Sequence, residues 1–208
     1  KIKFEALYNQ YPPELANRFF DTLTIQKGTS KLLIDFSTAL LQIIFGILLL
    51  SLYHPFFIFF GVLLAFLLYS IFRFSFEAGL SSSLKESKYK YKVVSWLQEI
   101  ARNNFSFRKQ ENFEFALEKN NQLVEEYIYY REKHFKVIKR QFTQLIGFKV
   151  IITACLLLIG GYVVLNQKMN IGQFVAAEII ILLVINSVEK IIIGLESLYD
   201  VLTSVEKI

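Results

Sequence analysis

Cysteine, proline, glycine and histidine are all scarce in these 208 residues, with 1, 3, 9 and 2 copies respectively. The lone Cys155 excludes a disulfide scaffold, because it has no partner in the chain. So few Gly and Pro exclude collagen-like and low-complexity classes. His54 and His134 are the only histidines, far apart in sequence, and Cys155 has no nearby base, so no catalytic residue and no metal site is expected. No Gly-x-x-x-x-Gly-Lys-Ser/Thr sequence occurs, and Gly28-Thr-Ser-Lys31 has the residue types without the spacing. This chain is therefore not expected to hydrolyse ATP by itself. Charge is thin as well, at 20%, against 54% hydrophobic residues. With 21 Phe and 11 Tyr, disorder is excluded too.

Charge is missing altogether between Asp35 and Arg73. One helix over that 37-residue run (36–72) would be about 55 Å long. A bilayer's hydrocarbon core is about 30 Å thick and needs about 20 residues. The run predicts two spans, 33–53 and 56–74, separated at His54-Pro55, because proline cannot donate to a helix ladder. A second pair follows. Residues 150–167 carry no charge, Asn166-Gln167-Lys168-Met169-Asn170 reads as a polar turn, and 171–188 is apolar except for Glu178.

Lys and Arg set the expected orientation. Lys1, Lys3, Arg18, Lys27 and Lys31 precede the first span, and the segment from Arg73 to Lys149 inclusive holds fifteen basic residues. The tip at His54 has none, and the other tip has only Lys168. Both termini and the middle segment are expected in the cytoplasm, in a multi-pass protein of the cell membrane.

The middle segment, 75–144, has no Pro and only Gly79. Val93, Trp96, Leu97 and Ile100 fall on one helical face, as do Leu123, Tyr127, Tyr130, His134, Val137 and Ile138. The weak point is Arg102-Asn-Asn-Phe-Ser106, where Asn and Ser favour turns. Two long antiparallel helices are predicted, each continuing a span and reaching about 45 Å below it, with a short helix at 109–117. Thirteen basic against eight acidic residues in 85–140 suit a solvated helix pair under the positive-inside bias better than a nucleic-acid site.

Two intramembrane placements stand out. A charge at a span's centre costs about 2.5–3.5 kcal/mol on insertion scales, so Glu178 should face protein or water. Two readings stand for it: it lines a pathway, or it is protonated or bonded to a neighbouring helix. Folding the last hairpin about Lys168 sets Glu178 level with 158–160, where Gly160-Gly161 allows close helix approach. It also sets Lys149 level with 187–189. Lys149 then either pairs with Glu189 or snorkels to the headgroups.

Several segments resemble ABC exporters. Leu7-Tyr-Asn-Gln-Tyr-Pro-Pro-Glu-Leu-Ala-Asn-Arg18-Phe-Phe-Asp21 resembles their first intracellular loop, although Pro12-Pro13 stands where many members have Thr-Gly or Ser-Gly. Leu97-Gln-Glu99 with Phe107-Arg-Lys-Gln110-Glu111 and Phe115 resembles the second loop. Ile171-Gly-Gln-Phe-Val-Ala176 resembles the opening of the last span, and Leu198–Ile208 the helix leading to the nucleotide-binding domain. The resemblance covers the whole chain as spans three to six of a six-span transmembrane domain, and Lys1 reads as an internal start.

That resemblance implies an all-α, multi-pass membrane helical bundle with four spans in two hairpins and long cytoplasmic extensions. It divides as a loop with a coupling helix at 13–21 (1–31), a first hairpin (32–76), a stalk with a second coupling helix at 109–117 (77–144), a second hairpin (145–194) and an exit helix (195–208). The implied function is the substrate pathway of an ATP-driven exporter. Glu14, Asn17, Arg18, Asp21, Gln110, Glu111, Asn112 and Phe113 would couple it to a nucleotide-binding domain. Glu178, Lys149 and Glu189 would be pathway or intramembrane polar residues. ATP and Mg are expected in the nucleotide-binding domain and no cofactor in this chain. The implied partners are that domain, a second copy or related half, and the bilayer, with no nucleic acid. The alternative reading is a membrane signalling or scaffold domain whose stalk drives a cytoplasmic effector. A channel is a weaker reading, because no selectivity-filter-like loop occurs.

Overall fold

The computed structural model describes residues 12–107 and 109–206, with side chains described from residue 18 onward, that of residue 111 excepted. Among the described residues there are helices and short turns and no strand. The helices are α1 (Pro12–Tyr53), α2 (Phe56–Arg102), α3 (Asn104–Phe107), α4 (Gln110–Cys155), α5 (Gly161–Leu165) and α6 (Ile171–Val205), with a π-helical turn, Leu156–Gly160, between α4 and α5. Four stretches are long and apolar enough to cross a membrane: Arg18–Tyr53, Phe56–Arg102, Asn112–Leu165 and Ile171–Val205. The fold is an all-α helical bundle of membrane type.

Three expectations about local structure change. The segment 12–31 is not a loop carrying a separate coupling helix at 13–21; it is the start of α1. Pro12 and Pro13 sit in the first turn, where a missing N–H costs nothing. No proline follows before Tyr53, and the Thr22 and Thr24 hydroxyls donate back to the Arg18 and Phe20 carbonyls at 3.1 and 3.0 Å. The short helix at the far end is α3, at 104–107 rather than 109–117, and 110–117 forms the first turns of α4. Asn103 decides this: its amide donates to Glu99 Oε1, and it takes the turn between α2 and α3. The last hairpin's first limb is not a plain α-helix, because the π turn inserts an extra residue ahead of Gly161.

Each hairpin tip has a definite cap. At the first, the Phe56 N–H donates to His54 Nδ1 at 3.2 Å and the Phe57 N–H to the His54 carbonyl at 2.9 Å. At the second, Gln167 takes a left-handed backbone (φ 55°), and the Lys168 and Gln167 N–H groups donate to the Val163 and Val164 carbonyls at 3.1 and 2.9 Å. That pattern is a Schellman stop. Asn170 then opens α6: the Gln173 N–H donates to Asn170 Oδ1 at 2.7 Å, and the Asn170 N–H to Gln173 Oε1 at 3.0 Å. This reciprocal pair is a capping box.

The chain forms two compact units. Thr29–Glu77 and Ile138–Leu198 make the membrane unit; Lys1–Gly28, Ala78–Val137 and Tyr199–Ile208 make the other, the stalk unit. The core of the membrane unit is a column of Leu50, Phe57, Phe60 and Leu64 against Leu145, Phe148, Ile152 and Leu156, closed by Ala177, Ile181, Val184 and Val188. The α6 residues recur every three or four positions, the period of one helix face. Glycine permits close approach of α1 and α6: a Cβ on Gly46 would meet Val184 at 2.5 Å, and one on Gly194 would meet Phe36 at 2.6 Å.

The stalk unit holds more polar contacts. Tyr89 stacks on Tyr130 at 4.1 Å between ring centres. His134, buried, is 2.8 Å from Ser82 through Nδ1 and lies edge-on to the wholly buried Tyr199. The Ser83 and Thr203 hydroxyls are 3.0 Å apart. Trp96 donates to the Ala116 carbonyl at 3.3 Å.

Candidate functional site

Within the membrane unit, α1 and α6 run antiparallel. Phe36 meets Gly194, Gln42 meets Ser187, and Gly46 meets Val184, each step up α1 being a step back along α6. Beside this seam lies a cleft of about 520 Å³ lined by Lys31, Asp35, Gln42, Asn186, Glu189 and Lys190, with Leu183 and Ile193 as apolar walls. Helix periodicity brings these residues together: 31, 35 and 42 share one face of α1, and 183, 186, 190 and 193 share one face of α6. The Ser187 hydroxyl donates to Gln42 Oε1 at 2.7 Å. That bond leaves the Gln42 amide nitrogen, with two hydrogens, to face other partners.

Lys149 and Glu189 are brought together, with Nζ 2.8 Å from Oε2 and both side chains about one-third exposed (33% and 30%). That spacing is a charge-assisted hydrogen bond. Glu178 is half-buried, next to the fully buried Ala177, and among the described residues it makes no hydrogen bond or ion pair. Gly160 packs closely, but against Phe174, one turn before Glu178; a Cβ there would lie 2.5 Å from the Phe174 ring. Gly161 has open space around it.

The stalk-unit residues divide differently. The side chains of Glu14, Asn17 and Glu111 lie outside those described, although their backbones belong to α1 and α4. Asp21 is buried and accepts from the Tyr91 hydroxyl at 2.5 Å, so its carboxylate ties α1 to α2 within the unit. Arg18 is half-buried. Asn112 donates to the Ser106 carbonyl at 2.8 Å and fixes α3 against the start of α4. Gln110 is exposed, and Phe113 is 58% exposed.

The geometry also brings forward residues that sequence reasoning passed over. Phe105 is 86% exposed in α3, the short helix that joins α2 to α4. Phe19 and Phe20, 63% and 64% exposed, form an aromatic pair on α1. Trp96 anchors the tip from behind: Phe107 and Phe115 lie edge-on to it at 5.9 and 6.3 Å, and Lys119 Nζ sits 4.2 Å over its ring. Phenylalanines in a helical turn rich in Asn and Ser are the signal that marks such a tip. Lys31, Asp35 and Gln42 carried only the signal of a shared helical phase.

No group of three or more His, Cys, Asp or Glu suited to a metal occurs among the described residues. The family model for the ABC transporter transmembrane region matches residues 7–188. No curated protein matches the chain.

Proposed function

The chain belongs to the ABC transporter transmembrane region family, and from that premise we propose that it forms the substrate pathway of an ATP-driven exporter and couples it to a nucleotide-binding domain. In coarser terms it is the transmembrane part of an ABC transporter, of membrane type and not itself catalytic. ATP and Mg would be held by the nucleotide-binding domain, on the same or another chain. A second copy or related half would complete the pathway. Both termini and the α2–α4 turn would face the cytoplasm, and the tips at His54 and Lys168 the outside.

Solvent-exposed aromatic side chains in α3 and at the start of α4 carry the coupling half of this reading. Phe105 at 86% exposure and Phe113 at 58% place large apolar surface at the end of a helix pair, where water alone would not favour it; such a patch marks a protein contact. Asn112 and Trp96 brace that tip, so a force applied there moves α2 and α4 together. Four helices, α1, α2, α4 and α6, give residues to both units. Displacement of the tip would thus reach the membrane unit along continuous backbone. The transition would be a rigid-body change between two packings.

The test uses the full-length transporter, with its nucleotide-binding domain, in lipid vesicles. Every cysteine of the transporter, Cys155 included, is replaced by Ala, and Glu178→Cys supplies a single new thiol. Trapping with ATP and vanadate is expected to change the labelling rate at 178, and Phe105→Asp with Phe113→Asp to abolish that change while insertion persists. Labelling at 178 that ignores ATP in the parent protein overturns the pathway reading. An unaltered response in the double variant overturns the coupling role of the tip.

A further inference from the structure

The cleft beside the α1–α6 seam is chemically uneven, and the unevenness describes a guest. Glu189 on its wall is already matched by Lys149 at 2.8 Å. Lys31, Lys190 and Asp35 form no ion pair among the described residues. Two ammonium groups and the amide nitrogens of Gln42 and Asn186 therefore stand ready to donate, and one carboxylate stands ready to accept. The donors suit a phosphate or carboxylate, and Asp35 suits an amine on the same headgroup.

The surroundings are apolar. Leu183 and Ile193 border the cleft, each 53% exposed, and Ile34 and Leu41, 65% and 53% exposed, extend bare hydrocarbon along α1. Gln42 lies about 9 Å inside the charge-free run that begins at residue 36. Polar side chains at that depth are costly against lipid tails and mark a pathway or a bound guest. A small inorganic ion would leave the apolar borders idle. A purely cationic amphipath would meet two ammonium groups and one acid.

We propose that this cleft binds the headgroup of a zwitterionic amphipath as cargo: phosphate or carboxylate against Lys31 and Lys190, amine against Asp35, hydrocarbon tail along Leu183 and Ile193. The proposal rests on the transport reading only for the word cargo; recognition of the headgroup stands on the cleft alone.

The test uses the full-length protein in neutral maltoside micelles without nucleotide. Four tail-labelled fluorescent probes are compared by anisotropy: lysophosphatidylethanolamine, a phosphate-only lysophosphatidylglycerol, an alkylamine and a monoacylglycerol. Lysophosphatidylethanolamine is expected to bind at least about tenfold tighter than the alkylamine or the monoacylglycerol, the scale of one charge-assisted hydrogen bond. Lys31→Gln with Lys190→Gln, both exposed positions, is expected to weaken both phosphate probes about tenfold or more. Asp35→Asn is expected to erase only the preference for the amine-bearing probe. Equal binding of all four probes, or variants without effect, overturns the site. A second arm supplies ATP to vesicles carrying the bound probe. Movement that the variants abolish supports cargo. Binding without ATP-driven movement marks a resident bilayer lipid and overturns the cargo assignment, leaving headgroup recognition intact.

Discussion

At the scale of single residues, two glycines and one ion pair separate packing from charge. A methyl group on Gly79 would lie 2.3 Å from the ring of Tyr199, which is fully buried and has no room to swing. Gly79→Ala is expected to cost about 1–3 kcal/mol through overpacking. Gly147 has nothing within 4 Å, so Gly147→Ala is expected to leave stability unchanged or raise it by up to about 1 kcal/mol. Thermal unfolding in detergent reads both. Lys149 and Glu189, each about one-third exposed (33% and 30%), are partly screened by solvent. Reversing one charge is expected to cost about 1 kcal/mol, and exchanging both is expected to restore most of the loss. If the double exchange is no better than the single reversal, the lysine acts through the headgroups instead. Lys149 and Glu189 were legible as neighbours because both belong to one hairpin folded about a visible turn. Asp21 and Tyr91 were not, because seventy residues separate them and no local pattern links their helices.

At the scale of elements, the helices end where their caps are, and the caps differ in how plainly the sequence shows them. The break at His54-Pro55 follows from proline's missing donor and could be read directly. The continuity of α1 through 12–31 could not, because polar residues and a Pro pair suggest a loop until the first turn is recognised as the place where proline fits. The π turn Leu156–Gly160 left no sequence signal beyond the Gly pair that follows its last leucine and isoleucine. Asn170 and Gln173 form the most testable cap. Asn170→Ala removes the Oδ1 that accepts from the Gln173 N–H, while its own backbone N–H can still donate to Gln173 Oε1, and is expected to lower stability by about 1 kcal/mol. Adding Gln173→Ala is expected to cost little more, because the two side chains work as one box. Full additivity of the two losses in thermal unfolding would show that the box is not a unit.

At the scale of the whole molecule, the number of spans and their grouping in two hairpins were legible from charge-free runs, since a bilayer imposes its thickness on any sequence that crosses it. The α1–α6 cleft was not, because its polar residues arrive from opposite ends of the chain and look, on each helix alone, like scattered interruptions. Topology gives a direct check. In a background with every cysteine, Cys155 included, replaced by Ala, His54→Cys and Lys168→Cys are expected to react with a membrane-impermeant thiol reagent applied outside intact cells, and Ser106→Cys only after permeabilisation. Labelling of Ser106→Cys in intact cells would invert the assignment. The interleaving of the two units has a consequence for inheritance. The chain passes from one unit to the other after Gly28, Glu77, Val137 and Leu198. A single crossover within 30–197 therefore replaces residues of both units. Exchanging one unit whole demands four simultaneous joins, each inside a continuous helix. A lineage would consequently change its membrane unit by point substitution, with its stalk unit carried along unaltered, rather than by borrowing a ready-made domain.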